Sequence, residues 1–353
     1  MARPVIPEAT RQRLDATIAR LRALLPAGWD VEVTGRSRET GTFSVTSNGD
    51  TGTLEVIVRK RLDPRGVPAL PDADGPSVVA APWVSPRSRE LLTARGIGFV
   101  DDTGNVSVEL ARPGLVIRIA GSDRDPNPEP TTGPNLRGPR AWALLRTIAE
   151  VTPPYGVQQL AGAVGVDTGY VSRVLKVLAD ELLIEREPRG PVASVDWEGV
   201  LRKLATTYSL FGSNETSTWV ASGGPGQLID HLSTRNVGRW AVTGSFATAA
   251  LAPVAAPVQA AIYTDDPERL AKAGRLLRAT TGANVVLAEP YDDIVFTRTR
   301  SAGKVLYVSV AQAAVDALSG PGRMSAEGDA LLDWMRRDPR RWKADALTAD
   351  AAR

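Results

Sequence analysis

The chain has 353 residues, and its formal charges nearly cancel: 42 Lys plus Arg against 40 Asp plus Glu, a net +2. Hydrophobic residues make up 43% and charged residues 23%, a globular composition with room for two or three domains, which excludes a wholly disordered or fibrous chain. There is no cysteine and only one histidine, His231, which excludes disulfides, thiolate metal sites, cysteine nucleophiles and multi-histidine metal centres.

Met1 to Pro7 are not followed by an apolar signal core, and no run reaches the ~18 apolar residues of a membrane span. A cytoplasmic, nucleoid-associated protein without a membrane partner is expected. The first segment, 1–120, opens on an amphipathic helix with Leu14, Ile18, Leu21, Leu24 and Leu25 at helical spacing. Trp29 to Val33 and Phe43 to Thr46 alternate as strands, and Leu54 to Val58 is apolar enough for a central one. Val78 to Ala81 reads as another buried strand, and Pro86 to Arg95 as a helix capped by Ser85. Ile97 to Val100 and Val106 to Leu110 flank a turn at Asp102 to Asn105, and Leu115 to Ala120 closes an α/β sandwich.

Residues 121–137 are crowded with proline, glycine and short polar residues and read as a flexible linker. In the segment 138–208, Trp142, Leu145, Ile148 and Ala149 mark a first helix, and Val157 to Val164 a second. The turn Gly165-Val166-Asp167 leads to a third helix reaching about Glu181, with Val171, Val174, Leu175 and Leu178 facing inward. Leu183 to Glu187 and Val192 to Val195 make a hairpin. Three helices and a hairpin in this order predict a winged helix-turn-helix.

The segment 209–353 alternates strands and helices and predicts a small α/β domain. Helices are expected near Gln227 to Leu232, at Pro267 to Thr280, Val310 to Leu318 and Ala326 to Arg337. Strands are expected at Trp240 to Val242, Val258 to Tyr263 and Ala283 to Leu287.

The third helix of the central segment presents Thr168, Tyr170, Ser172, Arg173 and Lys176 opposite its apolar stripe, the residue types that read base edges and phosphates in a major groove. Gln158 opens the preceding helix, and Arg186 and Arg189 sit on or beside the wing, placed for a phosphate. Arg36, Arg38, Arg59, Lys60 and Arg61 form a basic run in the first segment that can add contacts. These features predict double-stranded DNA as the partner. A purely structural or protein-binding winged helix is the alternative, because Glu181, Glu185 and Glu187 offset the arginines.

Two enzymatic readings compete with this one. A metal-dependent nuclease would draw on Glu32, Glu55, Asp101, Asp102 and Lys60, but no carboxylate stands two positions before a lysine on one strand. A nucleotidyltransferase would use the turn Thr243-Gly244-Ser245 with two carboxylates on the next strand, and Val258 to Tyr263 carries none. A non-enzymatic protein without metal or cofactor is therefore expected.

The stretch Val79 to Ser85, then Leu91-Leu92 and Gly96 to Val100 followed by Asp101-Asp102-Thr103-Gly104-Asn105, resembles bacterial regulators whose strand ends in an Asp-x-x-Gly-Asn turn. Those proteins are similar to the AbiEi-type antitoxins of type IV toxin–antitoxin systems. The resemblance implies a degenerate restriction-endonuclease-like domain, a winged helix and a degenerate nucleotidyltransferase-like domain, in that order over most of the chain. It also implies a transcriptional regulator at promoter DNA, or an antitoxin with a protein toxin partner. A whole domain precedes the winged helix here, which favours a free-standing regulator. Two extra domains leave room for an effector ligand or single-stranded DNA, for which no pocket residue is legible.

Overall fold

The computed structural model describes residues 6–347 apart from 73, 129–133, 135 and 189. The chain is an α/β multidomain protein with two compact units, Met1–Thr132 and Gly133–Arg353, each built on a seven-stranded mixed sheet. Among the described residues, no helix is long and apolar enough to cross a membrane.

The first unit runs α1 (Glu8–Leu24), β1 (Trp29–Arg36), β2 (Thr40–Ser47), β3 (Asp50–Val58), β4 (Ser77–Ala81), α2 (Pro86–Ala94), β5 (Gly98–Asp101), β6 (Val106–Leu110) and β7 (Leu115–Ile119). The strands lie in sequence order, with β3, β4 and β5 parallel at the centre and antiparallel hairpins on both sides. Strand residues alternate between the two faces. Leu54, Val56, Val78 and Ala80 pack with Leu14, Ile18 and Leu21 of α1, while Ile57, Val79 and Ala81 pack with Leu92 of α2. The central strands are thus buried on both faces, which is why they read as continuous apolar runs. Gly41 permits the close approach of α1 to β2, since a Cβ there would lie 2.6 Å from a methyl of Leu14.

The turn after β5 ties this unit together. The buried Asp101 carboxylate accepts from the backbone N–H groups of Val84, Thr103 and Asn105, from the Thr103 hydroxyl and from the Asn105 amide. Arg20 of α1 donates to the carbonyls of Asp101 and Asp102. Arg89 of α2 donates to Asn105 Oδ1 at 2.6 Å. The first residues of the expected linker are held here too: Gly121 N–H donates to Asn105 Oδ1 (2.8 Å) and the Ser122 carbonyl accepts from Asn105 Nδ2 (2.9 Å). At the other end of that stretch Leu136 is buried in the core of the second unit.

The second unit begins with α3 (Pro139–Glu150), α4 (Val157–Val164), α5 (Thr168–Asp180), the hairpin β8 (Ile184–Arg186) and β9 (Val192–Val195), then α6 (Trp197–Ala205) and α7 (Leu210–Ser213). It continues with β10 (Glu215–Val220), α8 (Pro225–Leu232), β11 (Trp240–Thr243), α9 (Gly244–Ala249), β12 (Ala260–Thr264), α10 (Pro267–Gly274), β13 (Leu277–Arg278) and β14 (Val285–Glu289). Two short strands, β15 (Arg300–Ala302) and β16 (Val305–Tyr307), precede α11 (Val310–Leu318) and α12 (Met324–Arg337). The sheet order is β13-β10-β14-β12-β11-β16-β15. On one face Val242, Ile262 and Leu287 meet Leu228 and Leu232 of α8 and Leu270 of α10. On the other, Ala241, Ala261, Tyr263 and Ala288 join a core shared by α3, α5, α6, α11 and α12.

The helix expected over Pro267 to Thr280 stops at Gly274. Arg275 takes a left-handed conformation (φ 51°), and Leu277–Arg278 then pair with β10 at the sheet edge.

Asn105→Ala removes a group that both donates to Asp101 and accepts from Gly121 and Arg89. The expected cost is roughly 3 kcal/mol, because buried partners lose their pairing. Amide hydrogen exchange of β5 to β7 in the full chain should accelerate, and unchanged protection would show that the turn does not anchor these strands.

Candidate nucleic-acid interface

The α3–α5 segment folds as its pattern dictates. The hydroxyl of the buried Tyr155 donates to the Ile148 carbonyl at 2.8 Å, and the Tyr155 carbonyl accepts from Val192 N–H of β9 at 2.9 Å. The hairpin is thereby stitched to the chain between α3 and α4. Helix α4 ends on Gly165 in the left-handed region (φ 71°), where the Gly165 and Val166 N–H groups both donate to Ala161 O. Asp167 caps α5 by accepting from Tyr170 N–H at 3.0 Å.

Helix α5 then turns Val171, Val174, Leu175 and Leu178 into the core and leaves Thr168, Ser172, Arg173 and Lys176 exposed. Tyr170 is half-buried. Burial pushes its hydroxyl above the ordinary tyrosine value, and the nearby charges of Arg140 and Arg173 pull it back. At the start of α4 both glutamines are exposed; Gln159 turns its amide oxygen onto Gly156 N–H (2.7 Å), while Gln158 makes no such capping contact among the described residues. Arg186 is half-buried on β8, and Arg189 lies outside the described residues. Two of the offsetting acids are engaged elsewhere: Glu181 accepts from Lys203 of α6, and Glu185 from the Ser194 hydroxyl across the hairpin at 2.8 Å.

Two cations missed by sequence reasoning join this surface. Arg137 and Arg140, at the N-terminus of α3, line a cleft of about 650 Å³ together with Tyr170 and Arg173 of α5. Asp167 and Asp292 complete its charged lining. Only the short loop before α3 marks these arginines in sequence, and nothing in their spacing points to α5.

In the first unit, the turn after β1 and the end of β3 bring the basic run together, since Val58 N–H donates to Glu39 O at 2.7 Å. Arg36 pairs with Asp15 (2.5 Å), Arg59 with Glu39 (3.2 Å) and Arg61 with Asp63 (2.9 Å). Arg38 and Lys60 are exposed and carry no ion pair among the described residues. Most of this run is therefore already partnered, which weakens its field.

The carboxylates weighed for nuclease chemistry do not assemble. Asp101 has both oxygens filled by its turn, Asp102 faces Arg13, and Glu32 is exposed on β1. Among the described residues, no three His, Asp or Glu side chains come together in a way that could hold a metal ion. In the second unit the turn Thr243-Gly244-Ser245 joins β11 to α9, with Gly244 at φ 61°. Its hydroxyls are taken by acids on distant helices, Thr243 by Asp316 of α11 and Ser245 by Glu327 of α12.

The Thr243 contact belongs to a buried polar string that sequence reasoning did not find. Arg146 of α3 is paired with Glu150 (3.3 Å) and donates to the Ile294 carbonyl, to Thr297 and to Gln312 Oε1 (3.3 Å). Gln312 donates to Asp316 Oδ1 at 2.9 Å, Asp316 accepts from the Tyr263 hydroxyl at 3.0 Å, and Tyr263 meets the Tyr208 hydroxyl at 2.5 Å. The Ser309 hydroxyl donates to Glu150 at 2.5 Å.

The family model HVO_A0114 matches residues 138–200. The match spans α3 to α5, the hairpin and the first residues of α6. Searches of curated proteins and of solved structures returned no match.

Removing the α5 cap by Asp167→Ala should cost about 1 kcal/mol and fray the turn that carries Thr168 and Tyr170. Faster amide exchange confined to the start of α5 would register it. Burial raises the Asp316 carboxyl to about 6, against the partial relief of hydrogen bonds from Thr243, Gln312 and Tyr263. An unfolded-chain aspartate titrates near ~4. Between these values the folded chain keeps a proton that the unfolded chain has released. The contribution of this group to stability therefore falls as pH rises from about 4 to 6, by about 3 kcal/mol in total, and is level above that. Asp316→Asn should flatten that slope in urea midpoints measured from pH 4 to 7, and an unchanged slope would exclude Asp316 as its source.

Proposed function

We propose that this protein is a transcriptional regulator that binds double-stranded promoter or operator DNA, reading the major groove with α5 of a winged helix-turn-helix. The observation that carries this reading is the face of α5. Thr168, Ser172, Arg173 and Lys176 stand exposed along one side, and neither cation is engaged in an ion pair among the described residues. An α-helix fits the major groove, arginine can donate twice to guanine, and hydroxyls meet phosphates or base edges.

The surrounding groups suit backbone contacts. Gln158 opens α4, Arg137 and Arg140 flank the start of α3, and Arg186 lies on the hairpin. Phosphates fix the register of such a module, while base-edge contacts set its sequence preference. The resemblance to AbiEi-type antitoxins supports the same reading, with a degenerate restriction-endonuclease-like first unit and a degenerate nucleotidyltransferase-like segment behind the winged helix. The filled Asp101 carboxylate and the engaged hydroxyls of Thr243 and Ser245 agree with domains retained as scaffolds.

Fluorescence anisotropy with duplexes from the region upstream of the protein's own coding sequence tests this, against scrambled duplex. Arg173→Ala should lose about 1–3 kcal/mol of affinity for the preferred duplex and relax its sequence preference. Arg140→Ala should weaken all duplexes alike and lower the salt slope by about one. Duplex binding that is indifferent to Arg173 and Lys176 would move the contact to Arg38 and Lys60 of the first unit and overturn this assignment.

A further inference from the structure

A second basic site lies on other elements of the second unit. The loop Arg235-Asn236-Val237 before β11 and the exposed side of α10 border an open cleft of about 420 Å³, within the size range of small-ligand sites. Its lining carries Arg235, Arg269 and Lys272 together with the Asn236 side chain, over a floor of Val237 and Ala273, and includes no carboxylate.

The three cations are exposed and have no ion-pair partner among the described residues. This is not for want of acids nearby, because each neighbouring carboxylate of the α10 region is committed elsewhere. Asp265 holds Arg239 through two hydrogen bonds (2.8 and 3.0 Å). Asp266 caps α10 by accepting from Arg269 N–H at 2.9 Å, and Glu268 pairs with Arg278 at 2.8 Å. Arg269 and Lys272, three residues apart on one helix, are like-charged neighbours that repel. Arg269 also sits in the first turn, the positive end of the helix dipole. Such an arrangement has no compensating acid among the described residues and is relieved by an anion. Forked guanidinium donors and a lysine point charge match the tetrahedral oxygens of a phosphoryl group.

We infer that this cleft is an anion site for a phosphate-bearing ligand, held by Arg235, Arg269 and Lys272 with Asn236 as a further donor. It uses no residue of α5, so it stands independently of the DNA-reading proposal. The phosphoryl group can come from a free nucleotide or from a nucleic-acid backbone, and one set of titrations separates the two.

Isothermal titration calorimetry of the full chain at low salt uses inorganic pyrophosphate as the probe. The wild type should bind one pyrophosphate, the Arg269→Ala/Lys272→Ala variant at least tenfold more weakly, and Arg173→Ala with unchanged affinity. Both substituted side chains are exposed, and far-UV circular dichroism confirms that the variant is folded. Arg269→Lys, which keeps the charge, should restore part of the binding. ATP bound more tightly than pyrophosphate through the same two residues would assign the site to a free nucleotide. A loss of affinity for a 12-base-pair duplex in the double variant would assign it to the backbone. Absence of pyrophosphate binding by the wild type, or equal affinity in the double variant, would overturn the inference.

Discussion

The second unit is organised around a buried arginine. Arg146 is 1% exposed, deep between α3 and α11, and a charge in that position is tolerable only with a counter-charge and hydrogen-bond acceptors around it. Glu150, the carbonyls of Ile294 and Thr297 and the amide of Gln312 supply them, and Gln312 hands the chain of hydrogen bonds on to Asp316 and the two tyrosines. Burial lowers the basicity of Arg146 and raises both Tyr263 and Tyr208, while the Glu150 charge works against the lowering at the arginine. Each link constrains the next, so the position of α3 is set by residues that come more than a hundred positions later in the chain. Stacking of Trp142 on Tyr208, with ring centroids 4.3 Å apart, adds an apolar contact beside the polar one.

From α3 the constraint passes to the surface. Helix α3 fixes α4, the cap at Asp167 fixes the start of α5, and the apolar side of α5 fixes which residues look outward. The overall charge of +2 carries no hint of this, because electrostatic recognition depends on local fields. Arg173 and Lys176 on α5 carry no ion pair among the described residues, while glutamates on the hairpin and at the end of α5 are drawn into contacts with Lys203 and Ser194. The same separation, with acids diverted and bases left open, recurs around α10.

Much of the backbone was legible in advance. Period-two alternation and continuous apolar runs located every strand of the first unit to within a few residues, since those strands are buried on one or both faces. Periodicity and the Gly165–Asp167 turn located α3 to α5. The short strands β13, β15 and β16 have too few residues for a pattern, and α6 went unread behind the hairpin despite its cap, Asp196. The polar string was illegible for a different reason. Arg146, Glu150 and Asp316 occupy positions that look like the solvent side of amphipathic helices, and only distant chain brings them their partners. The Asp101–Asn105 turn was visible as a turn, but its role as an anchor for α1, α2 and residues 121–122 depends on arginines spread over the first unit.

The core common to α3, α5, α6, α11 and α12 bears on how such a protein can evolve. A nucleic-acid-reading module that closes its own interior can be shuffled between genes as a cassette. Here, a fragment ending at Tyr208 would strip the Arg146–Glu150 pair of its hydrogen-bond partners at Ile294, Thr297, Ser309 and Gln312, and would uncover an apolar flank. The α3–α6 segment and the α/β sheet behind it must therefore be inherited, duplicated or lost as one piece. Sequence drift in α11 is restrained by what α3 requires of it, even though α11 is remote from the proposed reading surface in sequence.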